Sequence, residues 1–102
     1  MPSPPPRLAL DRYVLETLMP DLVGHDHRAS SFLVYLALWA KARGPARRAR
    51  VSLRTLSEET GLSRRGVQTG LRNLARRRLV AVHRASITAV PEYTVLRPWA
   101  RG

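Results

Sequence analysis

The sequence predicts a mainly α-helical domain closed by a small β-hairpin: a three-helix core, an N-terminal helix ahead of it, and two short strands behind it. Three observations predict this. Apolar residues recur every three or four positions in four stretches between Leu8 and Arg78. Serines and glycines suited to capping and turning stand between those stretches. After Leu79 the apolar period drops to about two. At 102 residues the chain has room for one domain, with 44% hydrophobic residues to build a modest core. We place that domain at residues 8–99, between a proline-rich N-terminal tail at 1–7, expected to be disordered, and a short tail at 100–102. No internal repeat and no second domain is visible.

Taken in order, Leu8 to Met19 places Tyr13, Val14, Leu15, Leu18 and Met19 at helix-compatible spacing, with Asp11 available as a cap and Pro20 as a stop. Residues 21–29 are polar, contain Gly24 and read as a loop. Ser30 or Ser31 is then expected to cap a helix from Phe32 to Arg43. It is apolar on nearly every side and therefore central, and Gly44-Pro45 ends it. Phe32, Tyr35 and Trp39 on it are core aromatics. Ala46 to Arg50 reads as a basic loop, with a strand of one or two residues at Arg50-Val51. Ser52 caps a helix that turns Leu53, Leu56 and Thr60 inward and Glu58 and Glu59 outward. Gly61 is the turn, Leu62 plugs the gap beneath it, and Ser63 caps a helix running through Arg78. Val67, Leu71 and Leu74 of that helix face the core. Val80 and Val82, then Tyr93 to Leu96, form the hairpin, with Pro91 near its tip or on an edge. Trp99 is expected to pack back onto the domain.

Charge narrows the function. The chain holds 18 Lys+Arg against 7 Asp+Glu, a net charge of +11, and Lys41 is its single lysine. A high-GC genome accounts for much of the preference for arginine over lysine, but not for the net charge. A small domain with a pI of about 11.7 carries the electrostatic footprint of a nucleic-acid binder. Arginine's planar fork also suits phosphates and guanine edges. The absence of cysteine excludes disulfides and thiolate metal sites and fits a reducing compartment. No apolar run approaches the roughly 20 residues of a membrane span, and Met1 to Pro6 lacks the apolar core of a signal peptide. The setting expected is a bacterial cytoplasm, at the nucleoid. His25, Asp26 and His27 are better read as a solvated loop than as metal ligands. The carboxylates are too scattered for an acid–base pair, and there is no Gly-rich phosphate loop. No enzyme activity, cofactor or small-molecule ligand is therefore expected.

The order helix, short strand, helix, turn, helix, hairpin resembles the winged helix-turn-helix family. The segment SEETGLSRRGVQTGLRNLARRRLV carries the resemblance: Gly61 at the turn, Leu62 after it, Ser63 at the cap, then Arg64-Arg65-Gly66-Val67-Gln68 and the apolar positions Leu71, Leu74 and Leu79-Val80. LMPDL followed by FLVYLALW is similar to the same proteins. The resemblance implies binding of double-stranded DNA by a bacterial transcriptional regulator, with the Ser63–Arg78 helix in the major groove. A plasmid or phage replication-initiator domain, or a protein-interaction module on the same fold, are the alternatives.

The residues expected at the DNA are Arg64, Arg65, Gln68, Thr69, Arg72 and Arg76 on the outward stripe, Ser52 and Ser63 at helix N-termini, Arg48 in the basic loop and Arg84 on the wing. Arg65 or Arg72 suits a guanine edge and Gln68 an adenine edge. Gly66 and Gly70 depart from the family pattern. We expect Gly70 to allow close packing against the Ser52–Thr60 helix, and Gly66 to loosen the first turn or let the backbone approach DNA. The tip from Ala85 to Val90 is uncharged, more like a surface for a protein partner. A homodimer through the N-terminal helix or the wing is plausible, because paired half-sites raise affinity.

Overall fold

The computed structural model describes residues 6–100. Most of the expected N-terminal tail and the last two residues lie outside them.

The first helix, α1, is built from two wide-turn segments, Val14–Leu18 and Pro20–His25, continuous through Met19. Its bonds close five residues apart: Met19 N–H donates to the Val14 carbonyl, and Asp26 N–H to the Asp21 carbonyl at 2.8 Å. This corrects the expectation that Pro20 stops the helix and that 21–29 is a loop. Pro20 opens the second segment and lacks the N–H that the wide-turn pattern would direct to the Leu15 carbonyl, so one bond is given up there. Burial supplies the reason to continue, since Val14, Leu18 and Leu22, each four apart, all enter the core. Asp11 is not a side-chain cap either. Its carbonyl accepts from Val14 N–H at 3.0 Å, while its carboxylate takes the Trp99 Nε1–H at 3.1 Å. Trp99 does fold back, stacking on Tyr13 with ring centroids 4.5 Å apart.

Helix α2, Ala29–Lys41, is the central element and buries Phe32, Val34, Tyr35, Leu38 and Trp39. It begins before both candidate capping serines. Ser31, rather than capping, is fully buried against a later helix. Buried polar tips on α2 are satisfied: Tyr35 O–H donates to the Leu96 carbonyl at 2.8 Å, and Trp39 Nε1–H to the Ala9 carbonyl at 2.8 Å. The Arg47 guanidinium lies 4.2 Å over the Trp39 ring.

Strand β1, Arg48–Arg50, helix α3, Leu53–Thr60, helix α4, Arg64–Arg76, and strands β2, Val80–His83, and β3, Glu92–Val95, complete the fold. The sheet order is β1-β3-β2, antiparallel throughout, with Tyr93 opposite both Ala49 and Val82. The hairpin forms where the sequence predicts it. The basic loop does not: Arg48 to Arg50 is a paired strand at the sheet edge, because Ala49 is buried and its neighbours bond to a strand far along the chain. Pro91 sits just before β3, its ring buried and its carbonyl accepting from Val51 N–H at 3.2 Å. No described helix is long and apolar enough to cross a membrane.

Candidate nucleic-acid interface

The α3–α4 turn is held by its own side chains. Ser52 Oγ accepts from Thr55 N–H at 3.1 Å and starts α3. Gly61 ends it at φ +79°, a left-handed conformation that a Cβ would oppose, with its N–H on the Ser57 carbonyl at 3.0 Å. Ser57 Oγ donates to the Leu62 carbonyl at 2.6 Å, and Leu62 N–H donates to Thr60 Oγ1 at 3.2 Å. Ser63 Oγ then accepts from Gly66 N–H at 3.0 Å and starts α4. Every local capping feature of this stretch is as the sequence predicts, except that α4 ends at Arg76 rather than Arg78.

One face of α4 buries Val67, Gly70, Leu71, Asn73 and Leu74. Gly70 is required by close packing, but against α2 rather than α3: a Cβ there would stand 2.9 Å from the Ser30 carbonyl oxygen. A Cβ at Gly66 would meet only Ser63 Oγ and Leu62, at 3.4 Å and beyond, so that glycine is not forced by packing. Asn73 was not singled out by the periodicity, yet it joins three elements. Its Nδ2 donates to Asp26 Oδ2 at 3.1 Å and to Ser31 Oγ at 3.0 Å, and its Oδ1 accepts from Arg76. A polar side chain between Leu71 and Leu74 on an inward face was the one available signal. Asp26, between His25 and His27, is thus a structural acceptor; it also takes Arg77 at 3.2 Å.

The opposite face presents Arg64, Arg65, Gln68 and Arg72 to solvent, with Arg76 exposed and Thr69 half-buried. Two clefts flank this stripe. One, of about 400 Å³, runs toward the wing and brings Gln68 and Arg72 together with Val82 and Arg84. The other, of about 450 Å³, is lined by Arg65, Thr69, Arg72, Asn73 and Arg76 together with Arg28, a residue that the sequence reading did not single out. Arg48 lines neither cleft. It shares a separate hollow with Lys41, Arg43 and Glu59 and pairs with Glu92 at 3.7 Å. Ser52 is committed to its cap, donating its own proton to Thr55 Oγ1 at 3.0 Å. Arg84 Nη1 donates to the Ile87 carbonyl at 3.4 Å on the wing.

The distribution of carboxylates decides where positive charge is left. All seven are ion-paired: Asp11 with Arg97, Glu16 with Arg12, Asp21 and Asp26 with Arg77, Glu58 with Arg54, Glu59 with Lys41, and Glu92 with Arg48 and Arg50. None is paired with Arg28, Arg64, Arg65, Arg72, Arg76 or Arg84. The exposed pairs contribute little stability, about 0–1 kcal/mol each, whereas the Asp26 carboxylate that Arg77 meets is buried. The consequence of the pairing is a field: Arg64, Arg65, Arg72 and Arg76 on α4, with Arg28 and Arg84 in the flanking clefts, keep their charge uncompensated by any of these carboxylates.

A family model described as helix-turn-helix domain matches residues 28–80, just over half of the chain, from the residue before α2 to the first of β2. Comparison with curated proteins and with solved structures finds no match.

Proposed function

The chain belongs to the helix-turn-helix domain family, and from that premise we propose that it is a transcriptional regulator that reads double-stranded DNA by laying α4 in the major groove. The family supports DNA as the partner. The observation that supports placing α4 at the DNA is its stripe of arginines, which every carboxylate of the chain leaves uncompensated. Arg65 and Arg72 offer bidentate donors to guanine O6 and N7, and Gln68 a donor–acceptor pair to adenine. Ser63, Arg64, Thr69 and Arg76 contact the sugar–phosphate walls beside them. Arg84 does the same from the wing. In this reading the protein works at the bacterial nucleoid.

The protein-interaction alternative has one support: Ile87 at the wing tip is 90% exposed, an invitation to an apolar partner. Gly70 gives it none, because the α2–α4 contact explains that glycine.

The test is a site selected from random duplexes, with affinity measured against that site and a scrambled one across a salt series. Arg72→Ala should weaken the selected site by roughly 5- to 150-fold, since one bidentate base contact contributes about 1–3 kcal/mol of discrimination, and the scrambled site by less. Arg48→Ala, already paired with Glu92, should leave the salt dependence unchanged. A wild-type domain with no salt-dependent affinity for any duplex at low ionic strength would overturn the proposal.

A further inference from the structure

An α-helix with its side chains is about 10–12 Å across, and the major groove is about 12 Å wide. A helix seated there fills it, so the groups in the clefts beside the helix are the ones that meet the two phosphate walls. On the wing side that group is Arg84. On the other side it is Arg28, which lies outside the turn and outside α4 altogether. We infer that Arg28, with Thr69 and Arg76 of the same cleft, forms a phosphate site, and that Arg28 is its anchor for the strand opposite the wing. The inference rests on the α4 reading above.

Three observations support it. The cleft collects four guanidinium groups, none ion-paired with a carboxylate of the described residues. Like charges gathered this way are stabilised by an anion, and a phosphate accepts the paired N–H donors of arginine in plane. The backbone under Arg28 is fastened in place. Its N–H donates to the Leu22 carbonyl at 2.8 Å and its carbonyl accepts from Ser31 N–H at 2.9 Å. Two residues earlier, Asp26 is tied to α4 by Asn73 and Arg77. The Asp26 carboxylate is therefore engaged elsewhere, as is that of Asp21, while the Arg28 side chain stays exposed. Asn73 Oδ1 also accepts from Arg76, both lining the cleft. A site arranged before the ligand arrives loses less freedom on binding.

The experiment uses the full chain, with anisotropy of a labelled duplex measured over a salt series. Removing one phosphate contact should flatten the log–log slope by about 0.9 and weaken binding about eightfold at 0.1 M salt. Arg28→Ala should do both, equally on selected and scrambled duplexes, and Arg28→Lys should restore the slope. Because Arg28 is exposed, an unchanged melting curve separates this from misfolding. A second arm titrates the DNA-free protein with tripolyphosphate at fixed ionic strength, following the Arg28 guanidinium by NMR. Saturable shifts there, together with release of the labelled duplex when tripolyphosphate is added to the complex, assign the site to a free polyphosphate as well. Guanidinium shifts with duplex alone assign it to the phosphodiester. Wild-type binding with an unchanged slope in Arg28→Ala, and no Arg28 shift with either ligand, overturns the site while leaving the α4 reading intact. Failure of the wild type to bind any duplex overturns that reading instead.

Discussion

Gly70→Ala should destabilise the domain even though it replaces a poor helix former with the best one. Two effects oppose each other. In a helix interior alanine is favoured over glycine by about 0.8–1 kcal/mol. Against this, the new Cβ would lie 2.9 Å from the Ser30 oxygen, 3.1 Å from the Ser30 carbonyl carbon and 3.2 Å from the Ser31 nitrogen. All three are backbone atoms, so no side chain can swing away. Ordinary contacts between such atoms lie at about 3.5–4.0 Å, so α4 must retreat from α2 by roughly half an ångström or more. Overpacking of this kind costs about 1–3 kcal/mol. The retreat also stretches the Asn73–Ser31 bond of 3.0 Å and the Ser31–Gly70 bond of 3.4 Å, each contributing about 0.5–1.5 kcal/mol. The net expectation is a loss of about 1–2 kcal/mol, or a melting temperature lower by roughly 4–16 °C for a domain of this size. Gly66→Ala is the internal control. Its Cβ meets nothing closer than 3.4 Å, so it should gain a few tenths to about 1 kcal/mol. Urea unfolding of the wild type and both variants, followed by circular dichroism, measures the difference. A Gly70→Ala protein as stable as the Gly66→Ala protein would refute the packing argument.

The remaining expectations concern pH and assembly. Burial raises the pKa of the Tyr35 hydroxyl well above its usual value of 10, and burial raises that of Tyr93, with Arg84 partly opposing. The folded state therefore favours the neutral phenols, so their stabilising effect is intact below pH 10 and is lost as pH climbs beyond it. In a Tyr13→Phe background, tyrosinate absorbance should rise together with loss of helical signal; absorbance rising first, on an intact fold, would contradict this. Leu15, Met19 and Val23 are spaced by four along α1 and are 48%, 42% and 41% exposed. We expect this stripe to pair two copies of the chain. Sedimentation velocity should show a concentration-dependent dimer for the wild type and a monomer for Met19→Glu, and a wild type monomeric throughout would remove the stripe from consideration.

What could be read from the residues alone was the local chemistry. Ser52, Gly61 and Ser63 announce the turn because each acts on backbone groups within four residues of itself. The buried face of α4 followed from the spacing of Val67, Leu71 and Leu74, and with it the outward stripe of Arg65, Gln68 and Arg72. The hairpin was legible because its alternation is confined to two short runs.

Features that depend on distant partners were not legible. The helix passes Pro20 because Leu22 finds a place in the core, which no residue near the proline announces. Arg48 to Arg50 becomes a strand because Glu92 to Thr94 lies alongside it. Gly70 serves α2 rather than α3, since the chain's path, not the glycine, selects its neighbour. The interface itself divides in the same way. The sequence by itself determined that arginines face outward on α4, because helical periodicity is a property of consecutive residues. Only the tertiary structure decided which charges remain uncompensated and that Arg28 stands beside them, because ion pairs and clefts form between elements that the chain brings together only when the core closes.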